Sequence, residues 1–329
     1  MRKTSVLLAV FILELLTSLL IGLSTGLYVS ASSSGDDWPM FHHDMTHSGY
    51  SASTAPNTNQ TLWTYKTGGE VYSSPAVANG KVYMGSGDGV VYCLDAYMGG
   101  LIWNYTTHGG VESSPAVVEG RVFVGSNDGN VYCFDASIGS KLWNYTTGNN
   151  VASSPVVANG RVYVGSHDHN VYCFDASSGA KIWNYTTNSW VSSSPAVADG
   201  KVYVGSADRN FYCLDGSNGA LLWQYPTGNW VESSPAVDNG RVCFGTDGGY
   251  VYALNASDGA LIWQFGTIFS VLSSPALVNG NVYVGSNDNN IYCLNGSSGA
   301  VLWKYDRGHW IMSSPAVADG KIYEGPVCA

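Results

Sequence analysis

The triplet Ser-Ser-Pro occurs seven times, ending at Pro75, Pro115, Pro155, Pro195, Pro235, Pro275 and Pro315, always forty residues apart and without insertion or deletion. A strict period of this length marks one supersecondary unit that cannot bury its apolar face alone, so the copies must pack on one another. Two further series keep the same pitch: Trp63, Trp103, Trp143, Trp183, Trp223, Trp263 and Trp303, and Gly80, Gly120, Gly160, Gly200, Gly240, Gly280 and Gly320. The unit 151–190 reads VASSPVVANG RVYVGSHDHN VYCFDASSGA KIWNYTTNSW. It holds four short apolar runs, Val151–Val157, Arg161–Gly165, Asn170–Ala176 and Lys181–Thr187, bounded by Gly, Asn, Asp or Ser. Runs of this length, rich in Val, Tyr, Phe, Ile and Trp, predict strands. The connectors Ala158-Asn159-Gly160 and His167-Asp168-His169 have hairpin length, and Asn-Gly is a strong turn signal.

Beyond the leader no segment sustains a 3.6-residue period, so the chain is read as all-β. Strands apolar on both faces belong to sheets packed on each side. A ring of four-stranded antiparallel sheets stacked face to face is a β-propeller. Six complete units begin at Val71, Val111, Val151, Val191, Val231 and Val271. A lone fourth strand, Thr61–Thr67, precedes them, and a first and second strand, Ile311–Val317 and Lys321–Gly325, follow. Joining the two ends predicts seven blades with a composite closing blade. Its third strand is either missing or replaced by the upstream segment Trp38–Tyr50. A shortened chain is a further reading.

Cys173-Phe-Asp175-Ala-Ser-Ser-Gly179-Ala-Lys-Ile-Trp183 resembles the tryptophan-docking motif of the PQQ-type (quinoprotein-like) repeat family. Six copies match, with Ala253 replacing the cysteine once and Asn255 and Asn295 replacing the aspartate. The lead-in Trp38-Pro-Met-Phe41 followed by Ser48-Gly49-Tyr50 is similar to the start of PQQ-like repeat proteins. The resemblance implies a propeller in which Trp63, Trp103, Trp143, Trp183, Trp223, Trp263 and Trp303 dock between blades. It leaves function open, because the family includes quinoprotein dehydrogenases and non-enzymatic outer-membrane β-barrel assembly lipoproteins. The dehydrogenase chemistry uses a vicinal cysteine pair, a calcium held by acidic and amide side chains, and a catalytic aspartate. No two cysteines are adjacent here and no acidic cluster stands out, so neither catalytic residues nor a cofactor are assigned.

A formal net charge of −10, with the basic residues scattered, argues against a nucleic-acid partner. Arg2 and Lys3 before the apolar run Val6–Leu23, with Val29-Ser30-Ala31 as a cleavage site, read as export machinery. The run is long enough to approach a membrane span, although Glu14 near its middle is costly in lipid. Residues 1–31 are therefore a signal peptide or an N-terminal anchor, and any membrane contact is through them. Residues 32–60 form a spacer and lead-in, and 61–329 the propeller. Either leader places the protein outside the cytoplasm, secreted or anchored.

Ser-Ser-Pro falls at the start of the innermost strand, where a proline without an N–H is tolerated and small hydroxyls can serve backbone groups. A nucleophilic serine would need a histidine base, and no histidine recurs at this pitch. Cys93, Cys133, Cys173, Cys213 and Cys293 sit at equivalent third-strand positions, too far apart for disulfides, and read as buried thiols. Cys243 takes an aromatic slot, and Cys328 has no evident partner. The Asp88, Asp128, Asp168, Asp208 and Asp288 series reads as turn chemistry rather than calcium loops. His167 and His169, and His42, His43 and His47, are metal-ligand residue types, but no zinc spacing accompanies them.

The copies differ where fourth strand meets next first strand, and at the second-to-third-strand hairpin tips. In an up-and-down blade both connections emerge on one face. Trp190, Trp230 and Trp310, with Glu112, Glu232, His108 and His309, are therefore the candidate binding patch. Asn59, Asn104, Asn144, Asn184, Asn255 and Asn295 head glycosylation sequons. The function expected is a non-catalytic extracytoplasmic scaffold binding a protein or glycan at the cell envelope. A PQQ-dependent dehydrogenase and a cell-surface lectin or adhesin are the alternatives.

Overall fold

The computed structural model describes residues 37–54, 58 and 60–325. The leader, the sequon at Asn59 and Cys328 lie outside the described residues. The unit 151–190 folds as Val156–Ala158, Arg161–Gly165, Asn170–Asp175 and Lys181–Thr186, paired in that order and antiparallel. Five other sheets repeat this order at forty-residue steps, from Ala76–Ala78 to Val301–Asp306. With the closing sheet they make a seven-bladed β-propeller, numbered here from the blade that starts at Ala76. Second and third strands are buried almost throughout, because each sheet is covered on both faces. Fourth strands alternate, exposing Lys181 and Asn184 while burying Trp183.

The innermost strand is shorter than the sequence suggests. Val151 to Pro155 carry no ladder, since the serine side chains take over the backbone pairing there. Ser114 N–H donates to Ser154 Oγ at 2.9 Å, Ser154 N–H to Ser194 Oγ at 2.9 Å, and Ser194 N–H to Ser234 Oγ at 2.9 Å. The same bond links Ser74 to Ser114, Ser234 to Ser274 and Ser274 to Ser314. The other serine closes its own blade: Ser153 Oγ accepts the Gly165 N–H at 3.0 Å. Ser-Ser-Pro thus laces each blade to the next around the axis.

The lead-in does not supply the closing blade's third strand, as one reading expected. It runs inside the ring. Tyr50–Ser51 pairs in parallel with Ala316–Ala318, on the inner side of the closing sheet. Upstream, carbonyls of Trp38, Pro39, Met45, Thr46, Ser48 and Gly49 accept the N–H groups of Val77, Val117, Val197, Val237, Leu277 and Val317. The physical cause is that inner strands turn an unpaired edge to the axis, and buried N–H groups need acceptors. His47 adds a bond from Nδ1 to the Pro235 carbonyl at 3.0 Å.

Closure is composite, as expected, but incomplete among the described residues. Residues 61–67 form no strand ladder. They nonetheless make the contacts of a fourth strand: Trp63 Nε1 donates to the Ala96 carbonyl at 3.0 Å and Tyr65 packs on Tyr92. Ala316–Ala318 and Lys321–Tyr323 provide the first and second strands. Among the described residues no third strand lies between these and residues 61–67, which accordingly show no ladder.

Candidate functional site

The repeated residues are used up by architecture. Trp183 Nε1 donates to the Gly216 carbonyl in the next blade at 3.2 Å, and Tyr163 Oη and Arg161 reach the same oxygen. Trp103, Trp143, Trp223 and Trp263 repeat the bond to Ala136, Ala176, Ala256 and Gly296. Trp303 departs from the series: it is 41 % exposed, and among the described residues it makes no such bond. Gly179 has φ 71°, as a tight turn requires, and a Cβ there would lie 2.6 Å from the indole of Trp143 in the preceding blade. Asp175 Oδ1 accepts the Ser177 and Ser178 N–H groups, capping that turn. Asn255 does the same with Ser257 N–H and Asn295 with Ser297 N–H, so these two sequon residues serve as turn caps. Asn104, Asn144 and Asn184 stand exposed on fourth strands.

The Asp88 series staples three elements. Asp128 Oδ1 accepts the Asn130 N–H, while Oδ2 accepts the Tyr132 hydroxyl at 2.7 Å and the His108 N–H at 3.0 Å. Burial opposes the charge, but these bonds together outweigh it and hold the carboxyl below its usual range. The cysteines Cys93, Cys133, Cys173, Cys213, Cys243 and Cys293 are free and buried. Burial pushes the Cys133 and Cys173 thiols up to about 12, far from a reactive thiolate.

The variable loops do share one face. The Ala207 N–H donates to the Trp190 carbonyl and the Asp247 N–H to the Trp230 carbonyl, so each hairpin tip abuts the connection entering its blade. Side chains then link across blades. His167 packs 5.8 Å from Trp190, and Trp190 meets Trp230 edge to face at 5.7 Å and 76°. His167 Nε2 also bonds Ser192 Oγ at 3.0 Å. Burial lowers the His167 pKa, while the nearby Glu112 carboxylate opposes the shift. Glu112 is held by Asn127 Nδ2 at 2.8 Å. At the other end burial, with Asp247 close by, raises the pKa of Glu232. Trp190 and Trp230 remain 38 % and 41 % exposed. An arc therefore runs Glu112, His167, Trp190, Trp230, Glu232.

Trp310 lies outside this arc, entering the closing blade two connections beyond Trp230, and is 62 % exposed. His309 beside it turns Nδ1 to the Trp310 carbonyl. His108 is exposed at the entry to blade two, engaged through its backbone. The expected patch is thus one face but two clusters. His167 and Asp247 join the arc although the sequence reading left them among the hairpin tips. Their signal was variation between the copies at the first hairpin-tip position, on the same face as the tryptophan connections.

A second place near the axis is polar. His42 and His47 are buried in the lead-in with ring centroids 6.2 Å apart. Burial, then the neighbouring His47, lowers the His42 pKa to about 3, and burial lowers that of His47 to about 4. Both are neutral inside the fold. Burial also opposes ionisation of Asp44, yet hydrogen bonds from His43, Ser48 and Thr46 outweigh it and keep the carboxylate charged. Among the described residues no group of three His, Cys, Asp or Glu side chains could hold a metal.

A family model described as outer membrane protein assembly factor BamB matches residues 49–154, 146–267 and 248–324. No curated protein matches the chain by sequence. Among solved structures, BamB from Moraxella catarrhalis superposes with a TM-score of 0.70 at 18 % identity, covering 80 % of this chain and 82 % of that one. A europium-containing methanol dehydrogenase gives 0.62 at 14 % identity, covering 87 % and 88 %. The quinohemoprotein alcohol dehydrogenase of Comamonas testosteroni gives 0.63 at 14 %, covering 90 % and 77 %. At such identities the structural likeness establishes the fold alone.

Proposed function

The chain belongs to the family described as outer membrane protein assembly factor BamB, and from that premise we propose that it is a non-catalytic extracytoplasmic propeller that binds a protein partner through one rim. The observation that carries this reading is the arc of His167, Trp190 and Trp230, in ring contact with both indoles still exposed, flanked by Glu112 and Glu232. Exposed tryptophans on an otherwise turn-rich face are the usual anchors of a protein interface. Trp190 and Trp230 meet at 76°. They form a notch for an apolar side chain rather than the flat platform a sugar ring stacks on. This favours a protein over a glycan, and recognition over an adhesin built on sugars.

The dehydrogenase reading fits these residues poorly. Its calcium needs clustered acidic and amide ligands, and the repeated aspartates are instead spent on turns, as Asp128 and Asp175 are. Its vicinal cysteine pair has no counterpart: the described cysteines stand in separate blades, except that none lies in the closing one.

The test is photocrosslinking in the native envelope, with a benzophenone side chain placed at Trp230 or, on the opposite turns, at Asn159. A discrete protein adduct from position 230 alone, lost in the Trp190→Ala background, is the expected result. Equal adducts from both positions, or none from position 230, would overturn the reading.

A further inference from the structure

Charge is distributed unevenly between the two faces of the ring. On the face away from the rim acids and bases are matched: Lys81, Arg121, Arg161 and Lys201 each face an aspartate across the second and third strands. The rim carries Asp88, Asp128, Asp168, Asp208 and Asp288 on its hairpin tips and has no such pairing. Among the described residues the ion pairs are His43–Asp44 in the lead-in and Lys321–Asp319 on the opposite face. Arg209, on the blade-four tip, pairs with none of the rim carboxylates.

Those tip aspartates have a structural task. Each accepts the hydroxyl of the tyrosine four residues on, in blades one to four and in blade six. Blade five breaks the rule. Gly248 stands in the aspartate's place, where a Cβ would come within 2.3 Å of the Asn229 side chain, and Tyr252 Oη turns to the Thr227 carbonyl at 3.4 Å. The carboxylate has moved one residue earlier, to Asp247, and is exposed. There its Oδ1 accepts Ser270 Oγ at 2.9 Å, while its main-chain N–H donates to the Trp230 carbonyl. Glu232, half-buried two residues beyond Trp230, accepts no hydrogen bond among the described residues. Burial, and then the charge of Asp247, works against its ionisation. Two carboxylates are thus set near each other with no cation beside them, a placement that costs stability rather than adding to it. They lie next to the two exposed indoles of the arc.

Taking the rim as the binding surface, a reading on which this inference rests, we propose that the partner protein seats a Lys or Arg side chain here. Its methylene stem fills the notch between Trp190 and Trp230, and its cationic head reaches Glu232 and Asp247. A long basic side chain serves both halves of the site, since its stem is apolar and its head is charged. The indole rings add cation–π attraction. A calcium ion would satisfy the carboxylates and leave the indoles uncovered. A purely apolar residue would cover the indoles and strip water from two unpaired carboxylates, which is costly.

The probe is the blocked tripeptide Gly-Arg-Gly, compared with Gly-citrulline-Gly, which keeps the shape and lacks the charge. The full chain is labelled with 5-fluorotryptophan, and the signals of residues 190 and 230 are assigned with Trp190→Phe and Trp230→Phe. The arginine peptide is expected to shift both signals saturably, and the citrulline peptide to bind about fivefold more weakly or less. The double variant Glu232→Gln, Asp247→Asn should lose that preference. Raising salt from about 0.1 M to about 1 M shortens the screening length from ~10 Å to ~3 Å and should erase it too. The proposal is overturned if citrulline binds equally, if the double variant keeps the preference, if calcium chloride moves the two signals in place of the peptide, or if tens of millimolar arginine peptide move neither. Crosslinking from position 230 separates the two readings. An adduct that persists at full yield in the double variant refutes the cation and leaves the rim standing, whereas no adduct in the parent chain refutes the rim and this inference with it.

Discussion

Trp183 and Trp303 occupy the same repeat position and differ in what the next blade offers them, which makes the pair an internal measurement of blade docking. Trp183 is 7 % exposed and Trp303 41 %. For a side chain of ~250 Å² that difference is roughly 80 Å² of surface, or about 2 kcal/mol at ~25 cal/mol/Å². Replacing a buried tryptophan by alanine costs about 3–5 kcal/mol, counting the space left behind. The lost indole bond adds little, because the Gly216 carbonyl keeps Tyr163 and Arg161. Trp183→Ala is therefore expected to destabilise by ~3–5 kcal/mol and Trp303→Ala by about 2 kcal/mol less. In a chain of this size, at roughly 2 cal/mol/K of unfolding entropy per residue, the gap corresponds to about 3 °C between the two melting temperatures. Circular dichroism melts of the two variants and the parent measure it. Equal losses, or a larger one for Trp303→Ala, would refute the claim that contact with the following blade, rather than the indole's own sheet, is what stabilises each tryptophan.

Gly179→Ala should lower the urea midpoint by an amount equivalent to roughly 2–3 kcal/mol, because a Cβ would meet the Trp143 ring and sit at a positive φ. Ser154→Ala leaves the buried Ser114 N–H without its acceptor and should cost about 1–3 kcal/mol, read in the same titration. Acid should loosen the ring through the lead-in. His42 and His47 have folded pKa values of about 3 and about 4 against 6.5 unfolded, so the unfolded chain binds more protons between these limits. Their stabilisation is complete above pH 6.5 and falls by about 1.4 kcal/mol per pH unit for each histidine towards pH 4. Urea midpoints at pH 7, 5.5 and 4.5 should drop accordingly, before the aspartates begin to titrate; a flat profile would show that the imidazoles are solvated.

Much of this protein was legible without coordinates because its pattern is local and copied. Asn159-Gly160 makes its turn and Asp175 caps Gly179 within one forty-residue unit. Each copy corroborates the others, and even the inner placement of Ser-Ser-Pro follows from a proline that cannot join a ladder. The candidate rim was legible as a face, since strand order alone puts both loop sets at one end. Its division into an arc and an outlying Trp310 was not, because that depends on which blades adjoin and how their side chains lean.

Sequence by itself determined the unit: four strands, one docking tryptophan, one capped turn, repeated until a ring is the only way to cover every face. Tertiary structure decided what happens once. The lead-in has no second copy to compare with, and its course along the axis is dictated by inner-strand N–H groups from six blades that meet only when the ring forms. The partner of Gly179 is Trp143, not the tryptophan of its own repeat, because docking passes between sheets rather than along the chain.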